Sequence, residues 1–160
     1  MRPSALMAGQ LAGLVLLGQF QTFFYLVVGF AAGAHFEAGI GGILVLSALV
    51  SIISIGFGGL GLIMALRTGS GEAVQGMFPL MFVLLFFSSM TLPRNLIEQD
   101  WFRHLATINP ISYLIEAIRS LFIFGWDPEA LALGFGVAIV LAVVSITFAA
   151  FSLKGRMLAS

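Results

Sequence analysis

Four long stretches of this sequence contain no charged side chain, and this limits the chain to folds that a hydrocarbon solvent accepts. They cover residues 11–33, 40–66, 73–90 and 130–153. A helix needs about 20 apolar residues to cross a hydrocarbon core of roughly 30 Å. Backbone groups in lipid must be hydrogen-bonded within the protein, which favours helices here. The sequence therefore predicts an all-α integral membrane protein with four transmembrane helices, in a single transmembrane domain over residues 1–160.

The composition argues against a soluble protein and against several kinds of site. Charged residues make up 9% of the chain and hydrophobic residues 60%, whereas soluble domains carry about 25% charged residues. The formal net charge is zero, so no basic surface for nucleic acid is expected. There is no cysteine, and His35 and His104 lack metal-ligand spacing. We therefore predict no catalytic residue, no metal site and no cofactor on this chain.

Basic residues near the ends of the four stretches predict the orientation in the membrane. With four crossings, one side holds four basic residues and the other holds three, together with six acidic residues. The first group is Arg2, Arg67, Lys154 and Arg156, and the second is Arg94, Arg103 and Arg119. The first side is therefore the basic one, and both termini are predicted to face the cytoplasm.

Residues 91–128 hold most of the charge but show helical periodicity. Their first part carries one apolar stripe, formed by Ile97, Trp101, Leu105 and Ile108. Asn109 and Pro110 then end this helix and begin another, because asparagine is a favoured N-cap and proline is tolerated in the first turn.

The second predicted helix separates apolar from polar residues. Its polar face holds Ser112, Glu116 and Arg119, and the last two are spaced to form an ion pair. Two such helices predict an outer amphipathic re-entrant hairpin over about residues 95–124, with Trp101, Tyr113 and Trp126 at headgroup level. A surface loop with helical character is the alternative interpretation.

Polar residues inside the apolar stretches are few. Gln19, Gln21 and Thr22 lie in the first stretch, and such groups usually face protein or a water-filled path. One interpretation is a lined translocation path, and the other is a hydrogen bond between helices. The glycine-rich segment at residues 56–61 predicts close helix packing rather than a phosphate-binding loop.

The order of these elements resembles the membrane-spanning subunit of the ABC-2 type exporters, a family of drug, lipid and polysaccharide permeases. The matching segments are FPLMFVLLFFSSMTLPRNL, then WFRHLATINPISYLIEAIRSL, then a final apolar stretch and a short basic tail. The resemblance is strongest over residues 60–160. It implies an outer gate hairpin whose pattern residues are Pro93, Trp101, Asn109, Pro110, Tyr113, Glu116 and Arg119.

The resemblance also implies where the chain corresponds to the family domain. Family members usually have six spans, and residues 1–10 look like the cytoplasmic segment that carries the coupling helix. The chain then corresponds to the last four spans, as a fragment, a truncated gene model or a split subunit. In that alignment Arg2, Ser4 and Gln10 are expected to contact the ATPase.

The implied function is that of a permease subunit, or its C-terminal part, in the plasma membrane. The resemblance implies export of a drug, lipid or glycan-like substrate by a homo- or heterodimer surrounded by membrane lipid. The only lysine, Lys154, has no Walker A context, so ATP hydrolysis is expected on a separate ATP-binding cassette subunit. A non-transporting accessory or assembly membrane protein is the alternative.

Overall fold

The computed structural model describes residues 3–158, and every regular element in that part of the chain is helical. The all-α prediction is confirmed for these residues. The elements are α1 (Pro3–Ala31), α2 (Gly39–Thr68), α3 (Gly71–Gln75), α4 (Phe78–Phe86), a 3-10 helix (Arg94–Leu96), α5 (Asp100–Ile108), α6 (Pro110–Ile123) and α7 (Pro128–Leu158).

Three helices in the described residues are long and apolar enough to cross a membrane. The candidate spans are Met7–Ala31, Gly39–Thr68 and Pro128–Ser152, which correspond to the first, second and fourth predicted stretches. Helix α1 has 29 residues and α7 has 31, so each is about 45 Å long. Both helices are longer than the hydrocarbon core is thick. The predicted cytoplasmic segment, residues 1–10, belongs to α1 from Pro3 onward.

The third predicted stretch is not one continuous helix, and that part of the prediction is wrong. Helix α3 has 5 residues and α4 has 9. Pro79 has no N–H to donate to the carbonyl of Gln75. Just before it, the N–H of Met77 bonds to the carbonyl of Val74, three residues back, at 3.1 Å, so the α-helical hydrogen-bond pattern is broken between α3 and α4. Helix α4 is only about 14 Å long, and the chain leaves helical geometry after Phe86.

Contacts at both ends of α2 and α7 fix how the chain runs through the bundle. At one end Arg67 Nε lies 3.5 Å from Ser152 Oγ. At the other, Gly41 packs against the Trp126 ring. We call these the Arg67 end and the Trp126 end. Because α2 ends at the Arg67 end and α7 begins at the Trp126 end, residues 69–127 pass from one end to the other.

Helix α6 packs between α2 and the first half of α7. It contributes to two buried apolar clusters and approaches α7 closely at Gly134, where an added Cβ would lie 3.0 Å from the carbonyl oxygen of Tyr113. The hairpin's second helix is therefore part of the core. The clusters are Leu49, Leu114, Ala117 and Ala138, and Leu26, Ala38, Leu46 and Leu121.

The glycines of residues 56–61 allow α2 to pack closely on two neighbours. A Cβ added at Gly59 would lie 2.5 Å from Ser145 Oγ on α7, and one added at Gly58 would lie 2.6 Å from Leu14 Cδ1 on α1. The prediction that this segment serves helix packing is confirmed.

We expect Gly59→Ala to lower the free energy of unfolding by about 1–3 kcal/mol, because its methyl group would overpack against Ser145. The matched control is Gly136→Ala on α7, where an added Cβ meets nothing within 4 Å. That change should raise helix stability by up to about 1 kcal/mol. Thermal unfolding in detergent measures both, and equal shifts would contradict the packing described for Gly59.

Candidate functional site

Four polar residues along α6 face the protein interior. Asn109, Ser112, Glu116 and Arg119 are spaced by three or four residues, so they lie along one side of the helix. Asn109 and Ser112 are buried, while Glu116 and Arg119 are half-buried. We call these four residues the polar stripe. The sequence placed Ser112, Glu116 and Arg119 correctly on one face, but that face is covered by protein.

The N-terminal part of the polar stripe binds the chain at the end of α4. Asn109 Nδ2 donates to the carbonyl of Leu84 at 2.5 Å, and the N–H of Ser89 donates to Ser112 Oγ at 3.1 Å. Ser89 Oγ donates in return to the carbonyl of Ser112 at 3.1 Å. Ser89 and Ser112 are fully buried. These bonds satisfy backbone groups that would otherwise be unpaired, each at a cost of about 1–3 kcal/mol.

Asn109 and Pro110 also play the local roles that the sequence predicted. Asn109 Oδ1 accepts the N–H of Ile111 at 3.0 Å, and Pro110 occupies the first turn of α6. One side chain thus caps α6 and holds α4. The corner between the two hairpin helices is fixed by both contacts.

Arg119 binds backbone carbonyls. Its Nη2 donates to the carbonyl of Ser89 at 2.7 Å and to that of Met90 at 2.8 Å. The expected ion pair between Glu116 and Arg119 is therefore wrong. The carbonyls of Ser89 and Met90 lie just after the end of α4, outside any helix. They bind the guanidinium of Arg119, for which the helix spacing had predicted Glu116 as the partner.

Glu116 pairs with Arg94. Arg94 Nε lies 2.9 Å from Oε1 and Nη2 lies 2.7 Å from Oε2, while the backbone N–H of Arg94 donates to Oε1 at 3.2 Å. This two-pronged arrangement is the strong form of such a pair. The Arg94 guanidinium also lies 4.0 Å from the centre of the Tyr113 ring, within cation–π range. Tyr113 Oη donates to the carbonyl of Thr107 at 2.8 Å and so ties α6 to α5.

The apolar stripe predicted on the first hairpin helix is mostly left uncovered. Ile97 is buried, but it precedes α5. Trp101, Leu105 and Ile108 are 61%, 43% and 79% exposed. Tyr113 is half-buried and Arg94 stacks on its ring, while its position at headgroup level stays a prediction.

The polar residues of the first span lie in two different settings. Gln19 Nε2 donates to the carbonyl of Ser47 at 2.8 Å and to Ser51 Oγ at 2.9 Å, and Ser47 Oγ donates back to the Gln19 amide. Thr22 Oγ1 donates to the carbonyl of Gly18 within α1 at 2.9 Å. Gln19 thus joins α1 to α2, and Thr22 bonds within its own helix.

Gln21 and Gln10 line a groove of about 740 Å³ between α1 and α2. Ser54 adds a third polar side chain, and the other walls are apolar side chains and glycines. The lining of a translocation path by Gln19, Gln21 and Thr22 stays a prediction. Of the expected ATPase contacts, Arg2 lies outside the described residues, and so does the side chain of Ser4.

The described residues contain no group of three or more His, Cys, Asp or Glu able to hold a metal ion. His35 and His104 are both exposed. The chemistry that the arrangement supports is hydrogen bonding to an interrupted segment of backbone.

A family model described as ABC-2 type transporter matches residues 1–123. The chain belongs to the ABC-2 type transporter family. This is a family of membrane transport components, so the chain is a multi-pass membrane protein with a permease-type role. The matched residues include the whole polar stripe and end before α7, although the resemblance had been strongest toward the C-terminus. Neither a comparison with curated proteins nor one with solved structures gave a match.

Arg94 and Ser89 bind the polar stripe of this ABC-2 permease domain, and the sequence analysis did not single them out. A signal for them was present in the third apolar stretch, which is short and contains Pro79. An interrupted helix in an apolar setting needs polar partners for the backbone groups that it releases. The polar residues nearest to that interruption were therefore candidates.

We expect Glu116→Gln to lower the free energy of unfolding by about 1–3 kcal/mol, because it leaves the half-buried guanidinium of Arg94 without its carboxylate partner. Asp100→Asn, which removes an exposed pair with Arg103, should lower it by less than about 1 kcal/mol. Thermal unfolding in detergent measures both variants. A shift in Glu116→Gln no larger than that in Asp100→Asn would contradict the role given to the Arg94–Glu116 pair.

Proposed function

We propose that this chain is the permease subunit, or part of one, of an ABC-2 type exporter that carries a drug, lipid or glycan-like substrate out of the cytoplasm. A separate ATP-binding cassette subunit drives the transport, and two permease subunits work as a homo- or heterodimer. The observation that carries the proposal is the polar stripe of α6 and the backbone groups that it binds. Those groups belong to residues 69–127, the segment that passes from one end of the bundle to the other with its helix interrupted, which we call the interrupted crossing.

In this proposal the α5–α6 hairpin enters the bilayer from the Trp126 end. Leu114 packs with Ala138, and Ala138 lies ten residues after the start of α7 at Pro128. Ten residues of helix rise about 15 Å, which is half of a hydrocarbon core of about 30 Å. The corner at Asn109 is five residues, or about 7.5 Å, beyond Leu114, and so lies near or just past the bilayer midplane.

Residues 87–93 cross the same depth without helical structure. Backbone of this kind is tolerated within a membrane only where protein buries it or where it lines a cavity. Interrupted helices in transporters also lie where substrate passes. The polar stripe and residues 87–93 are therefore the part of the bundle that we assign to the outer gate.

The gate can move because α4 is weakly anchored. No residue of α4 is buried, and its main packing partner is α6. Regions with little buried apolar contact open at low free energy. Helices α2 and α7, by contrast, are joined by close glycine packing. The long helices and α6 form a frame, and α4 with residues 87–93 moves against it.

Coupling to ATP enters at the Arg67 end in this proposal. Helix α1 begins there, Gln10 lines the groove between α1 and α2, and both termini face the cytoplasm of a plasma-membrane protein. Helix α1 leaves large apolar side chains such as Phe20 and Phe23 exposed, at 69% and 68%. Lipid and a second permease subunit cover these side chains.

Labelling of single cysteines tests the membrane placement. The chain contains no cysteine, and Glu72, His35 and Glu98 are exposed. A membrane-impermeant maleimide should label His35→Cys and Glu98→Cys in intact cells, and Glu72→Cys only in inverted vesicles. Reaction of Glu72→Cys and Glu98→Cys from the same side would rule out the crossing by residues 69–127. Labelling of His35→Cys only from the cytoplasm would reverse the orientation.

A covalent link between Ser89 and Ser112 tests the gate. The backbone N of Ser89 lies 3.1 Å from Ser112 Oγ, so we expect Ser89→Cys/Ser112→Cys to form a disulfide on oxidation. That link should reduce ATP-dependent export at least about tenfold, since a fixed gate raises the barrier by about 1.4 kcal/mol or more. Export is measured in cells that co-express the ATP-binding subunit, with a fluorescent amphiphile, a labelled lipid and a labelled oligosaccharide.

The two single-cysteine variants, treated with the same oxidant, are the controls for this experiment, and a reductant should restore export in the double variant. Full export with the disulfide formed would remove the gate assignment. A wild-type chain that exports none of the three probes with its ATP-binding subunit present would favour the accessory-protein alternative.

A further inference from the structure

A cavity of about 450 Å³ at the Trp126 end borders the proposed gate, because Glu116 and Arg119 of the polar stripe line it. It lies among the hairpin, the 3-10 helix and the start of α7. This volume falls within the range of small-molecule sites, about 300–1,000 Å³. Its charged lining residues are Arg94, Arg103, Glu116, Arg119, Asp127 and Glu129.

Two arginines bring positive charge to the hairpin side of this cavity. Arg94 is neutralised by Glu116. Arg119 bonds to backbone carbonyls, and its buried Nη1 has no hydrogen-bond partner among residues 3–158. Arg103 pairs with Asp100, but both side chains are exposed, at 49% and 81%, so that pair is weak. Arg103 on α5 and Arg119 on α6 both line the cavity, and guanidinium groups suit a phosphate group.

The start of α7 brings negative charge to the other side. Asp127 Oδ1 caps the helix by accepting the N–H groups of Glu129 and Ala130, both at 3.1 Å. Glu129 is exposed and forms no ion pair within the described part of the chain. The positive and negative charges thus lie on different elements and balance overall. This arrangement favours a ligand that carries both signs of charge over a simple anion.

The rim of the cavity is apolar and lies at the level of exposed tryptophans. Phe124 and Leu133 line the cavity and are 70% and 41% exposed. Trp101 and Trp126 are also exposed, and Trp126 immediately precedes the start of α7. Exposed tryptophans concentrate at the membrane–water interface. A ligand with a zwitterionic head and apolar chains matches this setting.

We propose that the cavity binds the zwitterionic headgroup of a phospholipid in the leaflet at the Trp126 end. The phosphate lies toward Arg103 and Arg119, the ammonium group lies toward Asp127 and Glu129, and an acyl chain follows Leu133. The bound lipid bridges the hairpin to α7. This site requires the membrane placement of the hairpin, but it does not depend on whether the chain exports a substrate.

Lipid binding to the purified full-length chain in detergent tests the site. Dissociation constants are measured by native mass spectrometry for phosphatidylethanolamine, phosphatidylglycerol and diacylglycerol with identical acyl chains. We expect phosphatidylethanolamine to bind about tenfold more tightly than either of the others, which corresponds to about 1.4 kcal/mol. Soluble phosphoethanolamine should displace it at lower concentration than inorganic phosphate does.

Arg103→Gln and Glu129→Gln change the two walls without touching the polar stripe, so both variants should fold. Each should weaken the binding of phosphatidylethanolamine about tenfold, the loss of one charge-assisted hydrogen bond. Arg67→Gln, at the opposite end, is the matched control and should bind as the wild type does. Unchanged binding in both cavity variants would overturn the site.

Two other outcomes would overturn the choice of ligand. Equal affinity for phosphatidylglycerol, with no effect of Glu129→Gln, would mean an anion site. Equal displacement by inorganic phosphate and by phosphoethanolamine would mean a site for free phosphate and not for a lipid headgroup.

Discussion

A backbone carbonyl or N–H released from a helix in an apolar setting needs a partner, and the arrangement of this protein depends on that requirement. Helix α4 ends at Phe86, well short of the length needed for a crossing. The groups released in its last turn and beyond it meet Asn109, Ser112 and Arg119, all on one side of α6. The polar residues of the hairpin therefore serve the neighbouring segment rather than water. Without them the interrupted crossing would have no stable position.

The bundle combines two kinds of helix contact that respond differently to motion. Between α2 and α7 the contact is apolar and depends on glycines, so a sideways shift produces a steric clash. Between α6 and the chain after α4 the contact consists of hydrogen bonds, which can be exchanged for bonds to water when a path opens. A permease of the ABC-2 type transporter family needs both a frame and a movable part. In the function that we propose, the frame is the contact between α2 and α7, and the movable part is the segment after α4.

Much of the fold could be predicted because it is decided locally. Membrane-spanning helices follow from long uncharged runs, and the boundary between α5 and α6 follows from the capping chemistry of Asn109 and Pro110. The partner of Glu116 could not be predicted in this way. Helix spacing favours Arg119, whereas Arg94 lies 22 residues away in sequence, and only the position of the interrupted crossing brings it near. The same holds for Ser112. Helical periodicity predicts which face of α6 it lies on, but it does not predict that Ser89 packs against that face.

The amide of Gln19 has a consequence for the first helix as a whole. Helix α1 is apolar around nearly its entire circumference, so lipid alone gives it no preferred rotation about its own axis. The hydrogen bonds from Gln19 to Ser47 and Ser51 fix the rotation of α1 about its own axis relative to α2. Which aromatic side chains of α1 face the surrounding membrane, and which face a neighbouring subunit, is thereby set by a single polar group near the middle of the helix.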